Sequence, residues 1–288
     1  MAHVDRVEWR AADGAVVAAR WYTPPGSARS VVLVGGATGV PQGYYRGWAG
    51  DLADRGHEVV TFDYRGVGES RVGSLRGYSA SMTDWGHDWQ TALDAALARA
   101  GERPTLLVGH SFGGQALGLV DRAERLAGGI TVGAQLGYWG HWPAATRWAY
   151  AGLWYAVMPA VASTLGYVPG QLGVGEDLPA GVAREWAKWC RSPNYLLDHV
   201  PQARDRFASV MAPFRVVGVT DDSYAPDPAV RAFAALLPRA ELRTWSPADA
   251  GMDALGHFGF FRRGARRLWD EVAGWLEQRA DEAARRTA

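Results

Sequence analysis

The sequence predicts an α/β fold: a central, mostly parallel β-sheet with helices on both faces and a helical cap inserted into it. Continuous β-branched runs such as "SVVLVGG" and "PTLLVGH" read as strands buried on both faces, as parallel sheets require. Segments with helical apolar spacing alternate with them, the pattern of helices crossing between parallel strands. This rhythm stops at Tyr138 and resumes at "FRVVGVT" beyond Ser209. Residues 1–137 and 210–288 therefore read as the core, and 138–209 as the cap.

In chain order, two alternating runs flank Asp13-Gly14, the signal of an opening β-hairpin. The first buried strand follows, then a helix-compatible stretch from Gly43 to Arg55 and the strand "HEVVTFD". "DWGHDWQTALDAALARA" spaces its apolar residues as a helix, "PTLLVGH" is a strand, and "FGGQALGLVDRAERL" is compatible with a further helix. "GGITVGAQLG" closes the first half. In the insertion, Trp148 to Val168 carries no charge and is long enough to span a bilayer. A span there would leave the halves of one sheet on opposite sides of a membrane, so the segment reads as apolar helices kinked at Pro159 over an oily pocket. "FRVVGVT" and "AELRTWS" restore the strand signal, and an amphipathic helix from about Phe260 to Arg285 ends the chain.

Thirty basic residues balance thirty acidic ones, so no overall field favours nucleic acid or an anionic surface, and a small molecule is the expected partner. The lone cysteine, Cys190, excludes an internal disulfide and a multi-cysteine zinc site and is expected to be a buried thiol. "MAHVDRVEWR" lacks the features of a secretory signal, which favours a cytoplasmic reading. The sequence leaves homo-oligomerisation open.

Gly109-His110-Ser111-Phe112-Gly113 matches G-x-S-x-G. So short a pattern arises by chance, and its weight comes from its setting, at the end of a strand and the start of a helix. A sharp turn there exposes the serine, and glycines beside it let backbone approach closely. The bland alternative is a helix-capping serine. A serine nucleophile needs a base, and His257, beyond the last predicted strand, is best placed; the His110 side chain should point away from the pocket. A carboxylate must orient that base, and "RVVGVTDDSYAP" offers Asp221 and Asp222, with Asp222 preferred because the turn to Pro226 starts from it. Backbone N–H groups for an oxyanion are expected from Phe112 and from the loop "VGGATGVPQGYY", at Ala37 or alternatively Thr38.

"GGATGVPQGYYRGWAGDLADRGHEVVTFDYRGVGES", "GHSFGGQ", "TDDSYAP" and "GHFGFFR", in this order, resemble the α/β-hydrolase superfamily, in its bacterial serine-hydrolase branch related to monoacylglycerol lipases and the serine aminopeptidase S33 group. The resemblance covers nearly the whole chain and implies the α/β-hydrolase fold. Asp63, Arg65 and Gly66 match the family's "DxRGxGxS" loop, where an Asp–Arg pair is expected to brace the structure. Gly35-Gly36 replaces the family's usual His-Gly, and serine at the elbow separates the chain from relatives that place aspartate there.

The expected chemistry is hydrolysis of a small to medium apolar carboxylic ester through an acyl-enzyme, with Ser111, Asp222 and His257 as the triad and no metal or organic cofactor. Trp139, Trp142 and Trp154 are expected to line the substrate pocket, since aromatic side chains suit an apolar moiety. The same triad serves acyl transfer, thioester or peptide cleavage, or a cofactor-free lyase or oxygenase, and a non-catalytic receptor for an apolar ligand is the alternative outside enzymology.

Overall fold

The computed structural model describes residues 1–173 and 175–287. Strands β1 (His3–Arg10) and β2 (Val16–Thr23) form the opening hairpin. Gly14 takes φ 86° in its turn, a conformation that strains any side chain. β3 (Ser30–Gly35), β4 (His57–Phe62), β5 (Thr105–His110), β6 (Gly128–Val132), β9 (Phe214–Val219) and β10 (Ala240–Trp245) complete an eight-stranded sheet of order β1-β2-β4-β3-β5-β6-β9-β10. β2 pairs antiparallel with β1 and β4, and every other pairing is parallel. A separate two-stranded ribbon, β7 (Tyr167–Val168) with β8 (Leu178–Pro179), lies in the insertion.

The helices are α1 (Arg46–Asp54), α2 (Met82–Ala100), the short α3 (Phe112–Gln115), α4 (Arg147–Gly152), α5 (Met158–Leu165), α6 (Ala180–Cys190), α7 (Ala203–Ser209), α8 (Asp227–Ala234), α9 (Pro247–Ala250) and α10 (Arg266–Thr287). Side chains alternate across the buried strands and so divide the core in two. Val32, Val34, Leu106 and Val108 meet Trp48 and Leu52 of α1 and Leu268 and Trp269 of α10. Val31, Leu33 and Leu107 meet Trp85, Trp89 and Leu93 of α2 on the other face. Each such aliphatic side chain, fully buried, contributes about 1.5–3 kcal/mol.

Three elements depart from the sequence expectation. The helix after Ser111 stops at Gln115 and tightens into a 3₁₀ turn, Ala116–Gly118, because α7 packs across its path: a Cβ on Gly118 would lie 2.4 Å from the Phe207 ring. The final helix starts at Arg266 and not near Phe260, since 3₁₀ turns at Gly259–Phe261 and Arg263–Ala265 let Phe260 and Phe261 both reach the core. Between α4 and α5 the chain stays helical through a π-helical turn over Leu153–Val157, which directly precedes Met158 and Pro159 at the start of α5. No described helix is long and apolar enough to cross a membrane.

α4 to α7 all fall between β6 and β9. Phe207 of α7 packs on Phe233 of α8, ring centroids 5.8 Å apart, whereas Tyr150 of α4 and Trp186 and Cys190 of α6 line a cavity with Ser111 at the carboxyl end of β5, where open α/β sheets bind ligands.

Candidate active site

Ser111 follows β5 directly and has φ 52° and ψ −116°, outside the usual range of a residue with a side chain. Such a backbone costs about 1–3 kcal/mol and persists only where its surroundings fix it. Here its N–H donates to the Val132 carbonyl at 2.9 Å, and its carbonyl accepts from Gly114 N–H at 3.0 Å. Two glycines make the turn feasible. A Cβ on Gly109 would lie 2.7 Å from Gly114 N, and one on Gly113 2.0 Å from the Gly35 carbonyl oxygen.

The adjacent aspartates after β9 divide the support of His257 between them. Asp222 Oδ2 meets His257 Nδ1 at 2.6 Å, while its Oδ1 accepts from the N–H groups of Tyr224 (2.8 Å) and Ala225 (3.0 Å). Asp221 turns the other way and accepts from Leu255 and Gly256 N–H, both at 2.9 Å, clamping the loop that carries His257. Gly133, at the end of β6, lies beneath the pair; its φ is +64°, and a Cβ there would stand 2.9 Å from the imidazole. Tyr224 covers the other side, its ring centroid 5.3 Å from that of His257.

Ser111 and His257 line one cavity, with no hydrogen bond from the hydroxyl to the imidazole among the described residues. Such contacts are often long in unliganded sites and tighten in the substrate complex. Ala37 and Thr38 border the same cavity, but their amides differ. Ala37 N–H donates to the buried Tyr45 hydroxyl at 2.8 Å, whereas Thr38 N–H has no hydrogen bond among the described residues. The preferred second oxyanion donor, Ala37, is thus already engaged, by a contact that depends on the placement of Tyr45.

Of the tryptophans expected at the pocket, Trp142 and Trp154 line it, with Tyr150, Leu153, Trp186 and Cys190; with its mouth the cavity holds about 670 Å³. Trp139 does not. It packs between Tyr138 and Trp148, with ring centroids 5.5 and 5.3 Å away. The Trp142 indole and the Tyr150 hydroxyl both donate to the Ser223 carbonyl, at 2.9 and 3.0 Å, fastening the cap to the loop that carries Asp222. Burial pushes the Cys190 thiol well above its ordinary range, so the sulfur faces the cavity as an apolar thiol.

The sequence reading did not single out Gln135, Tyr45 or Gly133. Gln135 lines the cavity and accepts from Gln115 Nε2 at 2.7 Å, and Gln115 accepts from the Tyr195 hydroxyl at 3.0 Å. A lone amide side chain at the end of an apolar strand, in "VGAQLG", was its one visible signal. Asp63 and Arg65 do brace their loop, but not through each other. Asp63 accepts from Gln42 and Glu69 backbone N–H, while Arg65 is held by Asp88 and Asp13, because the two side chains leave the loop in different directions.

Solved structures share this architecture. A soluble variant of monoglyceride lipase from Saccharomyces cerevisiae superposes with a TM-score of 0.71 at 16% identity, over 97% of this chain and 96% of that one. A thermophilic esterase from Thermogutta terrifontis gives 0.61 at 18% identity, covering 96% and 99%. The esterase domain of a Rhodothermus marinus protein gives 0.62 at 18%, covering 96% and 98%. No curated protein matches the sequence significantly. The pattern that defines the serine aminopeptidase S33 family matches residues 25–244, from before β3 to within β10, and the chain accordingly belongs to that family of α/β-hydrolases.

Proposed function

We propose that the protein hydrolyses a small to medium apolar carboxylic ester through an acyl-enzyme at Ser111. The observation that carries this reading is the 2.6 Å contact between the buried Asp222 and His257, whose imidazole borders the cavity that the strained Ser111 also lines. His257 Nε2 takes the Ser111 proton as the oxygen attacks the ester carbonyl, and returns it to the departing alkoxide. Asp222 holds the proton on Nδ1 and stabilises the imidazolium as it forms. Water activated by the same histidine then cleaves the acyl-enzyme.

The developing oxyanion needs donors that do not reorganise, each worth about 3–4 kcal/mol of barrier. Phe112 N–H supplies one. With Ala37 N–H engaged by Tyr45, Thr38 N–H supplies the other. The aromatic cap wall accommodates the apolar part of the substrate.

A fluorophosphonate probe tests the chemistry and a graded series of p-nitrophenyl esters tests the pocket. Native protein should label at Ser111, with labelling abolished in Ser111→Ala. A folded native protein that neither labels nor cleaves any ester of the series would instead mark the cavity as a binding site.

A further inference from the structure

We propose that Tyr45 and His110 are positioning residues: a directed hydrogen-bond chain through them holds His257 at its working distance from Ser111 and ties that geometry to the Ala37 loop. The proposal rests on the acyl-transfer reading above. The chain runs from Ala37 N–H to Tyr45 Oη (2.8 Å), from Tyr45 Oη to His110 Nδ1 (2.9 Å), and from His110 Nε2 to the His257 carbonyl oxygen (2.9 Å).

Its direction follows from its ends. The His257 carbonyl can only accept, so Nε2 of His110 carries the proton. The uncharged imidazole then leaves Nδ1 as an acceptor, so the Tyr45 hydroxyl donates to it. That hydroxyl in turn accepts the one group at the far end that can only donate, the Ala37 N–H. Every polar atom of the chain is satisfied in one arrangement. His110 is fully buried, and burial, with the adjacent His257, holds its imidazole well below its ordinary range, in keeping with the neutral tautomer.

The leverage comes from adjacency. His110 is the residue immediately before Ser111, so its ring hangs from the strand that carries the nucleophile and grips the main chain of the base. Ring contacts hold it in place, at 4.9 Å from Phe261 and 5.0 Å from the His257 imidazole. Neither Tyr45 nor His110 lines the cavity, so neither is set to touch substrate. At the other end, the hydrogen bond from Ala37 N–H anchors the Gly36–Ala37 peptide, one unit before the peptide that carries the N–H of Thr38, the proposed oxyanion donor.

A displacement of about 1 Å between reacting groups can cost two orders of magnitude in rate, which sets the expected effect. Tyr45→Phe removes a single oxygen and is the principal test, read by fluorophosphonate labelling rate, by kcat and KM on a p-nitrophenyl ester, and by thermal unfolding. Labelling and kcat should fall about 10- to 100-fold with KM within about twofold of native. His110→Phe keeps a ring without donor or acceptor and should lose at least as much. His110→Gln restores one donor and one acceptor and should recover part of the loss. If Tyr45→Phe and His110→Phe label and turn over as fast as native, or if the loss falls on KM alone, or if glutamine rescues nothing, the relay is refuted. Should His110→Phe fail to fold, Tyr45→Phe decides. A native protein that neither labels nor cleaves esters would overturn the acyl-transfer reading and the relay together; a reactive native protein matched by its variants overturns the relay alone.

Discussion

Around Ser111 the chain leaves no spare volume, with a missing Cβ at Gly113 standing for 2.0 Å to a carbonyl oxygen and one at Gly109 for 2.7 Å to an amide nitrogen. Across the cavity, the wall contributed by the insertion is made of side chains: Trp142, Tyr150, Leu153, Trp154 and Trp186. On the first side the backbone itself is the structure, and positions are set by carbonyls and amides that have nowhere to go. On the second, shape depends on side-chain volume, which can change while the helices stay in place. Chemistry is thus expected to be intolerant of substitution and substrate range tolerant of it, a contrast that can be measured.

The largest effect expected is that of Ser111→Ala. Loss of a triad nucleophile costs as much as about a millionfold in kcat elsewhere, and the protein should stay folded because alanine fills the same turn. Asp222→Asn comes next, at about ten-thousandfold, since an amide at this position favours the wrong imidazole tautomer. Asp221→Asn keeps one acceptor oxygen for Leu255 and Gly256 and should cost only about tenfold, through the loop and not the proton. Steady-state kinetics on one ester separates these, and equal losses in the two asparagine variants would break the division of labour between neighbouring aspartates.

That division shows how far the sequence can be read. Strand and helix order, the elbow, and the Asp222–His257 pair were legible because each rests on local pattern or on chain order. The engagement of Ala37 N–H was not. It requires Tyr45 to be carried back over the loop by the 3₁₀ turn at Gln42–Tyr45, a contact with no sequence pattern of its own. Trp139 and Trp142 are likewise equal as letters, yet only Trp142 reaches the cavity, because its indole is drawn to the Ser223 carbonyl. The early stop of the helix after Ser111 is invisible for the same reason: Phe207, which blocks it, arrives from the far end of the insertion.

Gly113→Ala sharpens the contrast on the stability side. The added methyl meets backbone on the Gly35 side, and backbone cannot rotate away, so the turn or β3 must shift. Overpacking of this kind typically costs about 1–3 kcal/mol, and the rigid neighbour places this case at about 3 kcal/mol. Urea unfolding measures it. A variant of native stability would show that the elbow has slack, and the account of its rigidity would fail.

The smallest effect is expected in the cap, where Trp154→Leu is the most informative change. Trp142 is a poor probe because its indole N–H fastens the cap to Ser223, so its loss would mix pocket shape with the position of Asp222. Trp154 is free of that complication: it is 4% exposed, it lines the cavity, and its indole N–H has no partner among the described residues, so leucine forfeits packing but no hydrogen bond. Its ring rests on Trp186 at 4.8 Å between centroids, and shortening it opens space in the aromatic wall of the cavity. One methylene in an apolar pocket is worth about 1–3 kcal/mol of discrimination. The ratio of kcat/KM between longer and shorter p-nitrophenyl esters should therefore rise by about tenfold, with fluorophosphonate labelling of Ser111 unchanged within about twofold. A labelling rate that collapsed along with the shift would mean that the cap wall also positions the nucleophile, and the two sides of the cavity would then have to be treated as one device.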